Sequence, residues 1–190
     1  MTKTQESART LMPRAARVFS DRVHGVPANQ WTGSTPCTEW TVRDLVNHLA
    51  SEHLWAPHIL GGETIEQVGD RYDGDVLGTD PVATWDAAIA DSLAAWARTS
   101  DDAQVHLSFG DTSAEEYAEQ MLFDLAVHAW DLARGAGLDE RLDPVVVRHV
   151  WAYASEAVPQ WQGTPMMAPP VPIKSDDQQD KLIALTGRRP

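Results

Sequence analysis

Helix-start signals cut this chain into helical lengths and leave little room for a sheet. Thr41 caps a helix with Asp44 three residues on, a shorter stand-in for the usual Glu. Asp80-Pro81 and Asp143-Pro144 each set an N-cap before a proline at the first helical position. Ser113 and Glu116 have capping-box spacing. Behind each signal, apolar residues recur at helical spacing. One stripe holds Leu11, Ala15, Val18, Phe19 and Val23; another holds Val42, Leu45, Val46, Leu49 and His53.

These patterns predict helices from about Ser7 to Val23, from Thr41 to near Pro57, from Asp80 to Thr99, and from Ser113 to Arg134 with Gly135 as its stop. Pro13 argues for a first helix that begins later than its stripe. A fifth helix follows Asp143-Pro144 and runs to Val158, and a short one spans Ser175 to Thr186, closed by Gly187. Residues 61–80, with five glycines, read as a long surface loop, either functional or mobile. Ala103 to Phe109 reads as a strand or an extended segment. The expected class is all-α, four main helices with additions.

At 190 residues the chain is expected to form one domain, with a core over about 7–160 and a Pro-rich connector and short helix over 161–190. It carries 28 acidic against 15 basic residues, a net charge of −13. Phosphate backbones and anionic membrane surfaces would repel such a chain, so neither nucleic acid nor membrane is an expected partner. Cys37 is the single cysteine, which excludes an internal disulfide and fits a reducing cytoplasm. Met1 to Arg9 shows no apolar run of the kind a secretory signal carries. A homodimer would suit a bundle with exposed apolar faces.

The fourth helix carries the chemistry. Asp124, His128 and Asp131 follow at intervals of four and three, so all three share one face with Tyr117, Gln120 and Met121. Polar groups on an inward face need partners, because an unsatisfied one costs about 1–3 kcal/mol. A divalent cation bound by Asp124 and His128 is one answer, and a buried salt-bridge network is another. The second helix offers His48 as a third ligand, with Glu52 one turn on. Two imidazoles and a carboxylate would leave coordination positions open, which suits catalysis or ligand capture. Zinc, nickel, iron and manganese all accept such a set.

At these residues the chain resembles a known family. Thr35-Pro36-Cys37-Thr38-Glu39-Trp40-Thr41-Val42-Arg43-Asp44-Leu45-Val46-Asn47-His48-Leu49 is similar to the helix-two signature of the mycothiol-dependent maleylpyruvate isomerase N-terminal domain family. Asp124-Leu125-Ala126-Val127-His128-Ala129-Trp130-Asp131-Leu132-Ala133 resembles that family's second metal motif. Pro170-Val171-Pro172, Asp180-Lys181-Leu182 and Leu185-Thr186-Gly187-Arg188-Arg189-Pro190 resemble an actinobacterial metal-binding branch of it. The resemblance implies a DinB-like up-and-down four-helix bundle with an extra short C-terminal helix. It also implies a divalent metal, zinc first, on His48, Asp124 and His128. Mycothiol or a related thiol would be the cosubstrate, acting on a small electrophile by transfer or isomerisation. Two departures stand out: Asp124 replaces a common Glu, and the isomerase's C-terminal domain has no counterpart here. A non-catalytic metal-dependent binding or sensing protein is the alternative.

Among the other candidates, Cys37 would be a nucleophile, a fourth ligand or a small buried hydrophobe. Asp131 would accept from a ligating imidazole or pair with a cation. Glu52 and His53 would contribute to the site, with core or rim the other reading for His53; Trp40, Trp55 and Trp130 would wall a pocket or pack. Met166 and Met167 would cover its mouth. His24, His58, His106 and His149 have no partner visible in the sequence.

Overall fold

A computed structural model describes residues 6–100, 102–162 and 167–190. Its first helix, α1, spans Ala8–Gly25 and includes Pro13, contrary to the later start expected from that proline. The Ser7 hydroxyl accepts from the Thr10 N–H, and buried Leu11 and Met12 anchor the first turns. Pro13, sixth in the helix, forfeits the bond its N–H would give to the Arg9 carbonyl, a cost that the cap and this anchoring offset.

Helix α2 (Val42–Leu60) opens with the full reciprocal capping box of Thr41 and Asp44. A short α3 (Ile65–Val68) follows, capped by Thr64 and Gln67. The predicted open loop around it is fastened. Asn47 donates to the Gly74 carbonyl and accepts from the Val76 N–H, each at 2.8 Å, while Arg43 reaches Asp75 and the Gly78 carbonyl. Val68 and Leu77 are buried beneath it.

Helix α4 (Pro81–Arg98) starts at the predicted Asp80 cap. The segment after it is a strand, β1 (Gln104–Leu107), paired antiparallel with β2 (Gly110–Ser113). Helix α5 (Ala114–Ala136) takes its cap from Ser113, but Glu116 does not complete the box. Its carboxylate instead accepts from the Tyr153 hydroxyl at 2.7 Å and from Gln120 at 3.0 Å. Nor does Gly135 end the helix; Gly137, with φ +70°, does. Gly135 serves packing, since a Cβ there would stand 3.1 Å from the Ser34 carbonyl and from Thr35 Cγ2. Helices α6 (Pro144–Trp161) and α7 (Gln178–Leu185) complete the chain.

α1 packs on α5 and α4, and α2 packs on α4 and α5, closing a four-helix ring. Phe19, Leu45, Leu49, Trp85, Leu122 and Leu125 fill it. The fold is all-α apart from the hairpin, with α6 laid over α5 and α7 over α6. Helix α5 is thus covered on several sides, and every residue from Leu125 to Ala133 is buried. Polar side chains in that stretch must find their partners inside the protein. Among the described residues, no helix is long and apolar enough to cross a membrane.

Candidate metal centre

Asp124 projects from α5 between two imidazoles. Its Oδ2 lies 2.9 Å from His48 Nε2 on α2, and its Oδ1 lies 3.6 Å from His128 Nε2 one turn on. Single ligating atoms of His48, Asp124 and His128 all fall within 4.8 Å of one another. His48 and Asp124 keep 29% and 30% of their side chains exposed, so the group is open to a small molecule. Trp40 forms a wall, its ring 4.9 Å from that of His48 and 5.9 Å from that of His128.

The turn before α2 sets that wall. The Thr35 hydroxyl accepts from the Cys37 N–H and reaches the Trp40 carbonyl at 3.0 Å. Glu39 takes φ +73° to close the turn. This is the loop that Gly135 allows to lie against α5.

Asp131 sits behind His128 and is fully buried. Its Oδ2 accepts from His128 Nδ1 at 2.9 Å and from the Cys37 thiol at 3.2 Å. Arg188, from the segment after α7, donates through Nε to both carboxylate oxygens at 2.7 and 2.9 Å. Because an ionised carboxylate only accepts, the shared proton belongs to Nδ1, so the lone pair of the ligating form of His128 lies on Nε2. That is the nitrogen facing Asp124.

The electrostatics follow from these contacts. Burial opposes ionisation of Asp131, yet His128 and Arg188 hold its carboxyl below the ordinary range. Burial likewise opposes Asp124, and His128 and His48 hold it well below that range. His48 loses from burial but gains more from Asp124, so its pKa is raised. Glu52 is raised by its own burial and by the Asp124 charge, while His48 and His128 draw it down. Burial first, then Asp131, pushes the Cys37 thiol up to about 12.

Cys37, His128 and Asp131 form a second constellation of metal-ligand type. Arg188 already supplies its cation, with Nη2 2.8 Å from Asp131 and 3.4 Å from Cys37 Sγ. A metal there would face a guanidinium. The His48–Asp124–His128 set holds no guanidinium: its acid is ionised, and a cation there would take the place of the proton that His48 Nε2 donates to Asp124.

The remaining candidates are placed elsewhere. His53 is fully buried and bonds Ser92 at 2.8 Å. Trp130 is buried under Arg134, and Trp55 meets Tyr72. His24, His58, His106 and His149 each pair with a carboxylate, from Asp86, Glu63, Asp111 and Glu119. Met167 packs against the core, while Met166 lies outside the described residues. Sequence alone gives Arg188 no role; the Gly187 beside it, closing the last helix, is the signal that points there.

Residues 12–133 match the sequence pattern of the mycothiol maleylpyruvate isomerase N-terminal domain. The chain belongs to that family. Its relatives include the uncharacterized proteins MT0763 and Rv0738 of Mycobacterium tuberculosis, strains CDC 1551 and H37Rv. Each is 30% identical over 186 residues, covering 92% of this chain and 94% of theirs. Two crystal structures of the mycothiol-dependent maleylpyruvate isomerase, one a histidine-to-alanine mutant, share the fold. Their TM-scores are 0.62 for the mutant and 0.61 for the other, at 19% identity, over 77% of this chain and 67% of theirs. The family's DinB-like bundle is therefore the fold of this chain.

Proposed function

We propose that His48, Asp124 and His128 hold one divalent cation, zinc first, and that the protein uses a small thiol such as mycothiol to transfer to or isomerise a small electrophile. The carrying observation is the convergence of two imidazoles and one ionised carboxylate, from two helices, within 4.8 Å. A cation in such a set supplies Lewis acidity, lowering the pKa of a thiol or water beside it.

The chain's own residues do the rest. Asp124 contributes the negative charge, and His128 is oriented by Asp131. Trp40 offers an apolar wall against which a thiol or electrophile can pack, while the solvent-facing side of His48 and Asp124 admits it. Glu52, one turn on from His48 and half-buried with its acid raised, would exchange a proton with bound substrate. The functional unit on this reading is the whole of 1–190, because the segment after α7 reaches the site. The thiol and the isomerase chemistry rest on family membership, not on any feature of the pocket.

Incubation with mycothiol and a generic small electrophile, followed by chromatography, tests this. A transferase consumes free thiol in a metal-dependent way; an isomerase converts the electrophile and returns the thiol. Neither change, with metal bound and thiol retained, would overturn the enzymatic reading in favour of metal-dependent binding.

A further inference from the structure

We propose that Arg188 is a positioning residue of this centre, delivered by the segment after α7 to fix Asp131 and, through it, the ring of His128. The inference builds on the metal reading above, though its geometry stands without a metal.

The sequence dictates how Arg188 arrives. Helix α7 is docked through fully buried Leu182 and Ile183, and Gln179 clasps the loop before α6. Its amide oxygen accepts from the Leu142 N–H at 2.8 Å and its nitrogen donates to the Glu140 carbonyl at 3.0 Å. The helix ends in a Schellman turn: the Gly187 N–H donates to the Ala184 carbonyl and the Arg188 N–H to that of Ile183. Gly187 takes φ +82°, and a Cβ there would stand 2.5 Å from that of Ala168. Only glycine fits both demands. The turn throws the next side chain back into the bundle, a reach of 57 residues in sequence to Asp131.

Arg188 then has little freedom. Nε and Nη2 hold Asp131, Nη2 also meets Cys37 Sγ, and Nη1 donates to the Thr186 carbonyl at 3.0 Å. Its guanidinium is committed to the protein, which argues against a role in holding substrate. A carboxylate gripped by a planar fork cannot rotate about its last bond without breaking those bonds. Asp131 Oδ2 therefore stays where His128 Nδ1 needs it, and His128 Nε2 stays turned toward Asp124. A lysine would supply the charge without the fork.

The test compares Arg188→Met and Arg188→Lys with Ile89→Ala, which loosens the core at α4 and leaves α7 and its turn in place. The first readout is the ring-nitrogen NMR signature of His128 in the metal-free protein. Wild type and Ile89→Ala are expected to show one Nδ1–H tautomer, and both Arg188 variants an average of two. The second is zinc affinity by chelator competition, expected to fall about 10–100-fold in Arg188→Met and to recover only in part in Arg188→Lys. A single Nδ1–H tautomer with wild-type affinity in a folded Arg188→Met protein would overturn the proposal. So would full recovery by lysine, which also serves if the methionine variant does not fold. Were zinc to bind neither wild type nor variants, the metal reading would fall while the tautomer comparison still decided the role of Arg188.

Discussion

His128 Nδ1 stands 2.9 Å from Asp131 Oδ2, one turn on in the same helix, and this contact decides which imidazole nitrogen faces Asp124. It also ties the open side of the centre to a buried carboxylate with no solvent exposure of its own. Stability and ligand geometry are therefore coupled at one residue.

Asp131→Ala removes the partner of a largely buried guanidinium. Breaking a buried ion pair from one side costs about 3–5 kcal/mol, and urea unfolding should show a loss of that order. Asp131→Asn, which keeps an acceptor for His128 but not the charge, should fall between wild type and alanine. A loss under about 1 kcal/mol in Asp131→Ala would contradict the burial argument.

Gly135→Ala tests the close approach of α5 to the turn before α2. In an ordinary helix interior this change stabilises by about 1 kcal/mol. Here the new methyl meets the Ser34 carbonyl and Thr35 Cγ2 at 3.1 Å and Val42 Cγ2 at 3.3 Å. Overpacking of that kind costs about 1–3 kcal/mol, so the urea midpoint should fall. A rise would show that the turn yields freely.

His53 gives the fold an acid-side weakness. Complete burial pushes its pKa down to about 3, so the folded protein holds it neutral while the unfolded chain protonates below its ordinary value. Its contribution is fully present above the unfolded pKa of about 6.5 and is lost as pH falls toward 3. Between pH 7.5 and pH 5 this amounts to about 2 kcal/mol. Urea unfolding at the two pH values measures it, and His53→Gln should flatten that part of the profile. An equal slope in the variant would assign the loss to other groups.

Cys37 should be a poor nucleophile. With its thiol pushed up to about 12, alkylation by iodoacetamide near pH 7.5 should run on the order of a thousandfold slower than for an ordinary cysteine. Urea should restore the rate by releasing it from Asp131. Fast labelling of the folded protein would reopen Cys37 as a reactive group.

The local grammar of the chain was legible where one stretch of backbone determines the outcome. Thr41 with Asp44, and the Asp-Pro pairs at 80–81 and 143–144, mark helix starts because cap and proline act within one turn. The spacing of Asp124, His128 and Asp131 placed them on one face for the same reason. What stayed hidden crosses between elements. Gly135 resembles a helix stop until the neighbouring turn is seen to need its missing Cβ, and Glu116 has capping spacing but is drawn to Tyr153. Arg188 lies 57 residues from Asp131, a distance over which no periodicity carries information. The four histidines without visible partners find their acids through tertiary packing.

Elemental analysis of the purified, zinc-loaded protein beside His48→Ala tests the central claim most directly. The account predicts about one tightly held divalent ion per chain in the wild type and its loss in the variant. A full complement of tightly bound metal in folded His48→Ala, or none in the wild type, would contradict it.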